Sequence, residues 1–153
     1  MKNISKAVFT FVLLVGCAPE STPVPKTNFL YYDIHSSQYN EYAAETPKTT
    51  KVIDNITDYE NELYLRSSDQ ITEVDFSKNS ILLVDMGWQK SGGYNVGIQE
   101  VVESEESVQV NILYTFPKTS CSNTTAITNP YVFTVVSSKK YILLSEKIKF
   151  TDC

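Results

Sequence analysis

Between Ser107 and Phe116 the side chains alternate, with Val108, Val110, Ile112 and Tyr114 interleaved with Gln109, Asn111, Leu113 and Thr115. An extended strand sends successive side chains to opposite faces, so this spacing lines one face with apolar groups throughout. A helix would scatter the same four residues around its axis. The segment is therefore read as a strand with one face that must be buried. Similar short runs surround it. Asn28 to Ile34, Lys51 to Asn55, Ser80 to Met86, Tyr94 to Glu103, Tyr131 to Val136 and Tyr141 to Leu144 are rich in aliphatic or aromatic residues, and Lys147 to Phe150 alternates in a last short strand. Polar stretches join them, including the turns Ser104-Glu105-Glu106 and Ser137-Ser138-Lys139-Lys140. Strands at this spacing predict a mostly β chain, an antiparallel β-sandwich or barrel-like domain.

One helix interrupts the pattern. Thr57-Asp58-Tyr59-Glu60 reads as a capping box, in which the Thr57 hydroxyl meets the Glu60 amide and Glu60 reaches back. Tyr59, Leu63 and Tyr64 then mark a face of two or three turns ending near Arg66. Ser36 to Thr50 is polar, carries Pro47, and reads as a loop or poorly paired edge.

The amino terminus does not fit a globular domain. Lys2 and Lys6 precede Ala7 to Val15, an uncharged, mostly apolar stretch of nine residues. A membrane-spanning helix needs about twenty apolar residues, so this one is too short for a permanent anchor. A basic start, a short apolar stretch and small residues near a cut describe a removable export signal. Leu14-Val15-Gly16-Cys17 resembles the lipobox of bacterial lipoprotein precursors. That resemblance implies cleavage after Gly16 and acylation of Cys17, with palmitate among the acyl groups expected. Two or more chains hold a protein firmly to a bilayer, whereas one holds it marginally. The alternatives are an ordinary secretory peptide with a coincidental cysteine, or a buried apolar helix. Ala18, rather than an aspartate, follows the cysteine, which resembles the outer-membrane sorting pattern of diderm bacteria. The expected location is the cell envelope. The organisation is then a signal peptide over residues 1–16, a lipidated cysteine and tether over 17–27, and a single domain over 28–153. Ala18 to Thr27 contains three prolines and one aliphatic residue besides alanine, Val24, which suits a tether.

Removing residues 1–16 leaves 137 residues and takes away two lysines, so 11 basic side chains face 18 acidic ones and the net charge falls from −5 to −7. That length suits one domain with one core. The acidic balance argues against nucleic acid and against electrostatic attraction to anionic lipid. With Cys17 committed to lipid, Cys121 and Cys153 remain, and the compartment outside the inner membrane favours a disulfide between them. Two free thiols, or a metal pair lacking further ligands, are the alternatives.

No catalytic constellation emerges. His35 is the single histidine, and no GxSxG or other nucleophile motif accompanies it. HExxH and CxxC are absent, so neither zinc nor any other metal or cofactor has a recognisable cage. Gly92-Gly93 is followed by Tyr94 and not by the lysine of a phosphate loop. Asp33, Asp54, Asp75, Asp85 and Asp152 are scattered, and Glu103, Glu105 and Glu106 read as a solvated hairpin tip. The chain is not expected to be an enzyme.

Met86 to Val96 (MGWQKSGGYNV) holds the single tryptophan and three of the five glycines. Adjacent glycines allow positive φ and a sharp turn. Trp88 and Tyr94 flank that turn, and large amphipathic rings of this kind anchor interfaces. One reading is a tight connection whose aromatics pack on the core edge. The other is a partner-binding loop formed by Trp88, Ser91, Gly92, Gly93 and Tyr94. Val74-Asp75-Phe76-Ser77, Ile81-Leu82-Leu83-Val84-Asp85-Met86-Gly87 and Ser91-Gly92-Gly93-Tyr94-Asn95-Val96-Gly97-Ile98 resemble the C-terminal domain of the PrcB family. The helix before them and the later Pro117, Cys121 and Asn129-Pro130-Tyr131 extend the resemblance over roughly residues 51 to 145. PrcB proteins are lipoprotein accessory subunits of bacterial surface protease complexes. The resemblance implies a mostly β, non-catalytic protein-binding module that stabilises a protease. The alternative is a protease inhibitor, because a Gly-Tyr turn on a β-sandwich is similar to the chagasin-type inhibitors.

Overall fold

A computed structural model describes residues 30–42, 45–121 and 124–151. In chain order the elements are β1 (Tyr31–Ser37), β2 (Thr49–Ile53), α1 (Ile56–Tyr64), β3 (Ser80–Asp85), β4 (Asn95–Glu103), β5 (Ser107–Pro117), β6 (Tyr131–Val136) and β7 (Tyr141–Thr151). Two sheets form. One has the order β1-β6-β3-β2 and is antiparallel throughout; the other has the order β4-β5-β7. Neither closes into a barrel, so the architecture is the sandwich.

The central strands of the first sheet explain its unbroken apolar sequence. Leu82 and Val84 of β3 and Val132 and Val136 of β6 face the second sheet, meeting Val108, Val110, Ile112 and Tyr114 of β5. Their alternate neighbours Ile81, Leu83, Tyr131, Phe133 and Val135 face the other way, onto Tyr59 and Leu63 of α1 and onto Ile71, Val74 and Phe76. Both faces of β3 and β6 are thus covered, which demands apolar side chains at successive positions rather than alternation. The resulting layers are sheet, sheet, and a cover made of α1 and the segment after it. Each apolar side chain fully buried here contributes about 1.5–3 kcal/mol relative to exposure.

Two details differ from the sequence expectations. The helix cap is Asn55, whose side chain accepts from the Asp58 backbone N–H at 2.9 Å, and Thr57 lies inside the first turn. Asparagine serves this role at least as well as threonine. Of the expected helix face, Tyr59 and Leu63 are buried and Tyr64 is exposed. The second difference concerns the last strand. Tyr141 to Thr151 is one strand of 11 residues rather than two short ones, and it pairs with β5 in parallel. β6, which lies between them in sequence, belongs to the other sheet, so the Ser137–Lys140 turn carries the chain across the sandwich. Alternation within a strand reports which faces are wet, not which neighbour it runs beside. The β4–β5 hairpin forms as expected, its turn closed by Ser104 N–H donating to Ser107 O at 2.8 Å.

Candidate functional site

The Met86–Tyr94 loop leaves the C-terminal end of β3, where Asp85 is completely buried. A buried carboxylate is costly unless paired and hydrogen-bonded. Asp85 Oδ2 accepts from Arg66 Nε at 2.8 Å and lies 3.3 Å from the Thr46 hydroxyl oxygen, and Asp85 Oδ1 accepts from Gly87 N–H at 2.7 Å. With its amide nitrogen turned toward Asp85, Asn129 donates to Oδ1 at 2.7 Å and to Gly87 O at 3.2 Å, while its oxygen accepts from Thr46. Arg66 is satisfied in turn by Glu62, through the carboxylate and the backbone oxygen, each at 2.8 Å. Lys51 closes the network on Glu62 at 3.1 Å. One buried carboxylate thereby ties together the end of α1, the segment before β2, the segment before β6 and the first residues of the loop.

The loop is stapled along its length. Met86 N–H donates to Pro130 O, Trp88 N–H to Thr46 O, and Gly92 N–H to Thr124 O, at 2.9, 3.1 and 3.0 Å. Gln89 and Thr128 exchange both backbone bonds. The Thr128 hydroxyl donates to Ser91 O at 2.8 Å. The glycines have distinct reasons to be there. Gly87 has φ +72° and Gly93 φ +89°, the left-handed region that side chains avoid. At Gly92 the constraint is proximity instead, since a Cβ there would meet the Thr124 hydroxyl.

The two loop aromatics part company. Trp88 is 37% exposed. Tyr94 is half-buried and packs edge-on against Phe116, ring centroids 5.5 Å apart, with Phe116 in turn against Phe150. Tyr94 is thus part of the core edge, and Trp88 is the ring the loop displays. Ser91 and Gly93 lie on the same turn, Gly93 exposed.

Between this loop and the second sheet lies a cleft of about 140 Å³ lined by Lys48, Met86, Gln89, Tyr114, Phe116, Glu146 and Ile148. Lys48 bonds Glu146 at 2.7 Å and stands 4.1 Å above the Tyr114 ring, roofing one end.

His35 is a satisfied core residue. Its Nε2 lies 2.6 Å from the Tyr59 hydroxyl, its Nδ1 3.5 Å from Asp69, and its ring meets Phe133 edge-on. Burial lowers its pKa against the opposing Asp69 charge. The order Asp69, His35, Tyr59 resembles a relay, but Tyr59 is fully buried, its pKa raised by desolvation, and its oxygen also accepts from Thr72 N–H. Such a hydroxyl meets no substrate. Among the described residues no group of three or more His, Cys, Asp or Glu side chains is placed to hold a metal, and no helix is long and apolar enough to cross a membrane.

Cys17 and Cys153 lie outside the described residues. Cys121 is described, and its Sγ lies 4.0 Å from the carbonyl oxygen of Thr151, two positions before Cys153.

Sequence reasoning missed the Arg66–Asp85 pair. The available signal was an arginine beyond the last helical turn, next to an Asp-Met-Gly at a strand end, and nothing in the spacing joined them.

Residues 80–137, from the first residue of β3 to just past β6, match the family model described as PrcB C-terminal. No curated protein and no solved structure matches the chain. The stretch that builds the inner strands of both sheets, and carries the Asp85-anchored loop between them, is a PrcB C-terminal-like domain.

Proposed function

We propose that the chain is a membrane-anchored envelope lipoprotein, held by lipid on Cys17, whose domain is a non-catalytic protein-binding module that presents the Trp88 loop to a protease or another surface complex and stabilises it. The observation that carries this reading is the exposed Trp88 on a loop whose backbone is held at six points, by a buried carboxylate at one end and paired N–H groups beyond it. A large ring on a pre-ordered loop meets a partner without losing further chain entropy on binding. The accessory-type family of the matched stretch and the acidic surface agree with a protein partner and not with nucleic acid.

The test is photo-crosslinking in intact envelopes, with the crosslinker at position 88 and, as control, at Glu105 on the β4–β5 turn. Capture of one defined protein from position 88 alone is expected. The lifetime of the captured protein, if a protease, shortens when the chain is deleted. Equal capture from both positions, or none, overturns the reading; a rise in proteolysis on deletion makes the chain an inhibitor instead. Incorporation of labelled palmitate, lost in Cys17→Ser, tests the anchor separately.

A further inference from the structure

β7 leaves the second sheet with an open edge. All 11 of its residues pair with β5 in unbroken parallel register, from Ser107 opposite Tyr141 to Pro117 opposite Thr151, and among the described residues no strand lies on its other side. Natural proteins blunt such edges with bulges, prolines, charges or shortness. β7 has neither bulge nor proline and is as long as any described strand, so charge, at Glu146, Lys147 and Lys149, is the one such device it carries.

Beyond Ile142, which packs on the core, its inner face is apolar and exposed except at Glu146. Val110, Ile112 and Tyr114 of β5 are at most 2% exposed, whereas Leu144, Ile148 and Phe150 on the same face of β7 are 43, 63 and 57% exposed. The link of β7 to the first sheet here is the Lys48–Glu146 pair at 2.7 Å, Lys48 standing just before β2. The cleft of about 140 Å³ opens directly beside Ile148 and runs toward Gln89 of the Trp88 loop. A side chain entering there would touch Met86, Tyr114 and Phe116.

The outer face has a different character. Lys147 and Lys149 are exposed on it, with no carboxylate within 4.0 Å among the described residues, in a chain of net charge −5. Glu146, on the inner face, is already matched by Lys48.

We propose that the free edge of β7 is a docking strand for an extended segment of the protein partner, apolar at alternate positions and acidic at the positions between. Main-chain hydrogen bonds to the edge would supply affinity and the two faces specificity, the mode known as strand addition. The apolar positions lie against Leu144, Ile148 and Phe150 with one side chain in the cleft, and the acidic ones lie against Lys147 and Lys149. A second copy fits less well. In a two-fold antiparallel pair each residue faces one of the same parity, so Lys147 and Lys149 could face only Tyr141, Leu143, Ser145, Thr151, themselves or each other and never a carboxylate, and like charges directly opposite destabilise a strand pair. The inference rests on the protein-binding reading above and names the segment's chemistry.

The probe is a fluorescent decapeptide of alternating valine and glutamate, titrated into the full chain in detergent and followed by polarisation. Saturable binding is expected. Lys147→Glu with Lys149→Glu weakens it at least tenfold, and a valine–lysine peptide binds the doubly substituted chain better than the original. Ile148→Asp, exposed and so tolerated by the fold, also weakens the first peptide at least tenfold. Absence of saturable binding, binding indifferent to these substitutions, or dimerisation of the chain abolished by them overturns the docking strand. Capture from position 88 with no effect at β7 would leave the protein-binding reading standing and remove this one alone.

Discussion

Arg66 Nε lies 2.8 Å from Asp85 Oδ2, and the two side chains are 3 and 0% exposed. Neither charge can turn to water if the other is removed. Breaking a buried pair on one side costs about 3–5 kcal/mol, because the remaining charge stays desolvated. Arg66→Met should therefore destabilise the domain by about that amount in denaturant unfolding. Adding Asp85→Asn to Arg66→Met should recover a measurable part of the loss, since the residual charge goes as well. Strict additivity of the two substitutions would mean that the pair is not coupled.

The loop glycines should rank by physical cause. At Gly87 a Cβ would stand 2.6 Å from Lys48 N and 2.9 Å from the Pro47 carbonyl carbon, both backbone, and φ is +72°. A left-handed non-glycine residue alone costs about 1–3 kcal/mol, and the backbone contact adds to it. At Gly92 the obstruction is the Thr124 hydroxyl, which rotation about χ1 can withdraw. Gly87→Ala should lower the melting temperature clearly more than Gly92→Ala. The reverse order would sink this account of the loop.

Trp88 and Tyr94 should respond differently to truncation. Trp88→Ala removes an exposed ring and should weaken partner capture by more than about 1 kcal/mol with little loss of stability. Tyr94→Ala removes the edge-on contact to Phe116 and should cost stability, about 1–2 kcal/mol, less than the 3–5 of a fully buried aromatic. Titration with the crosslinked partner and thermal melts of both variants give the comparison. Equal melts and equal binding would show the loop to be one unit.

Legibility followed the range of the interactions. Val108 to Tyr114 declared their face because strand periodicity is local, and Ser80 to Met86 declared burial because two covered faces leave no polar position. The parallel β5–β7 pair was hidden, since Lys147 to Phe150 alternates identically beside any neighbour. The cap was misplaced by two residues because Asn55 and Thr57 both carry oxygens able to accept, and backbone geometry decides between them. In the loop, Gly-Gly-Tyr announced a turn, but Gly87 carries the other left-handed φ, and its anchor Arg66 is 19 positions from Asp85 in sequence. The exposure of Leu144, Ile148 and Phe150 depends on what packs opposite them across the chain, which no local pattern encodes.

Protonating His35 should cost stability below neutral pH. Burial depresses its pKa against Asp69, so the folded chain binds a proton less readily than the unfolded one. Just below the ordinary histidine value of about 6.5 the unfolded state then carries more protons, and stability falls as pH drops through that window. Above it the contribution is complete. Asp54, held below the usual carboxylate range by Lys139 and Ser80, loses its contribution only at far lower pH. Melting temperatures of the parent should decline from pH 7 toward pH 5, and His35→Gln should flatten that slope. An identical slope in both would assign the effect elsewhere.

The proposed bridge between Cys121 and Cys153 should make the C-terminal strand part of the cooperative fold. β7 has few buried side chains, so its docking rests mainly on the ladder with β5. Cys121 Sγ lies 4.0 Å from the carbonyl oxygen of Thr151, the last residue of that strand, and Cys153 is two positions further along the chain. Closing a ring on the order of 30 residues is worth about 3–4 kcal/mol in the chain-entropy picture. Mass spectrometry of non-reduced, mature protein should find one bridged peptide pair and no free thiol. Reduction, or Cys121→Ser, should lower the denaturation midpoint and speed amide exchange in β7 before β5. Two free thiols in protein isolated under non-reducing conditions would eliminate the bridge, and unchanged exchange in β7 after reduction would show that the ladder alone holds the strand.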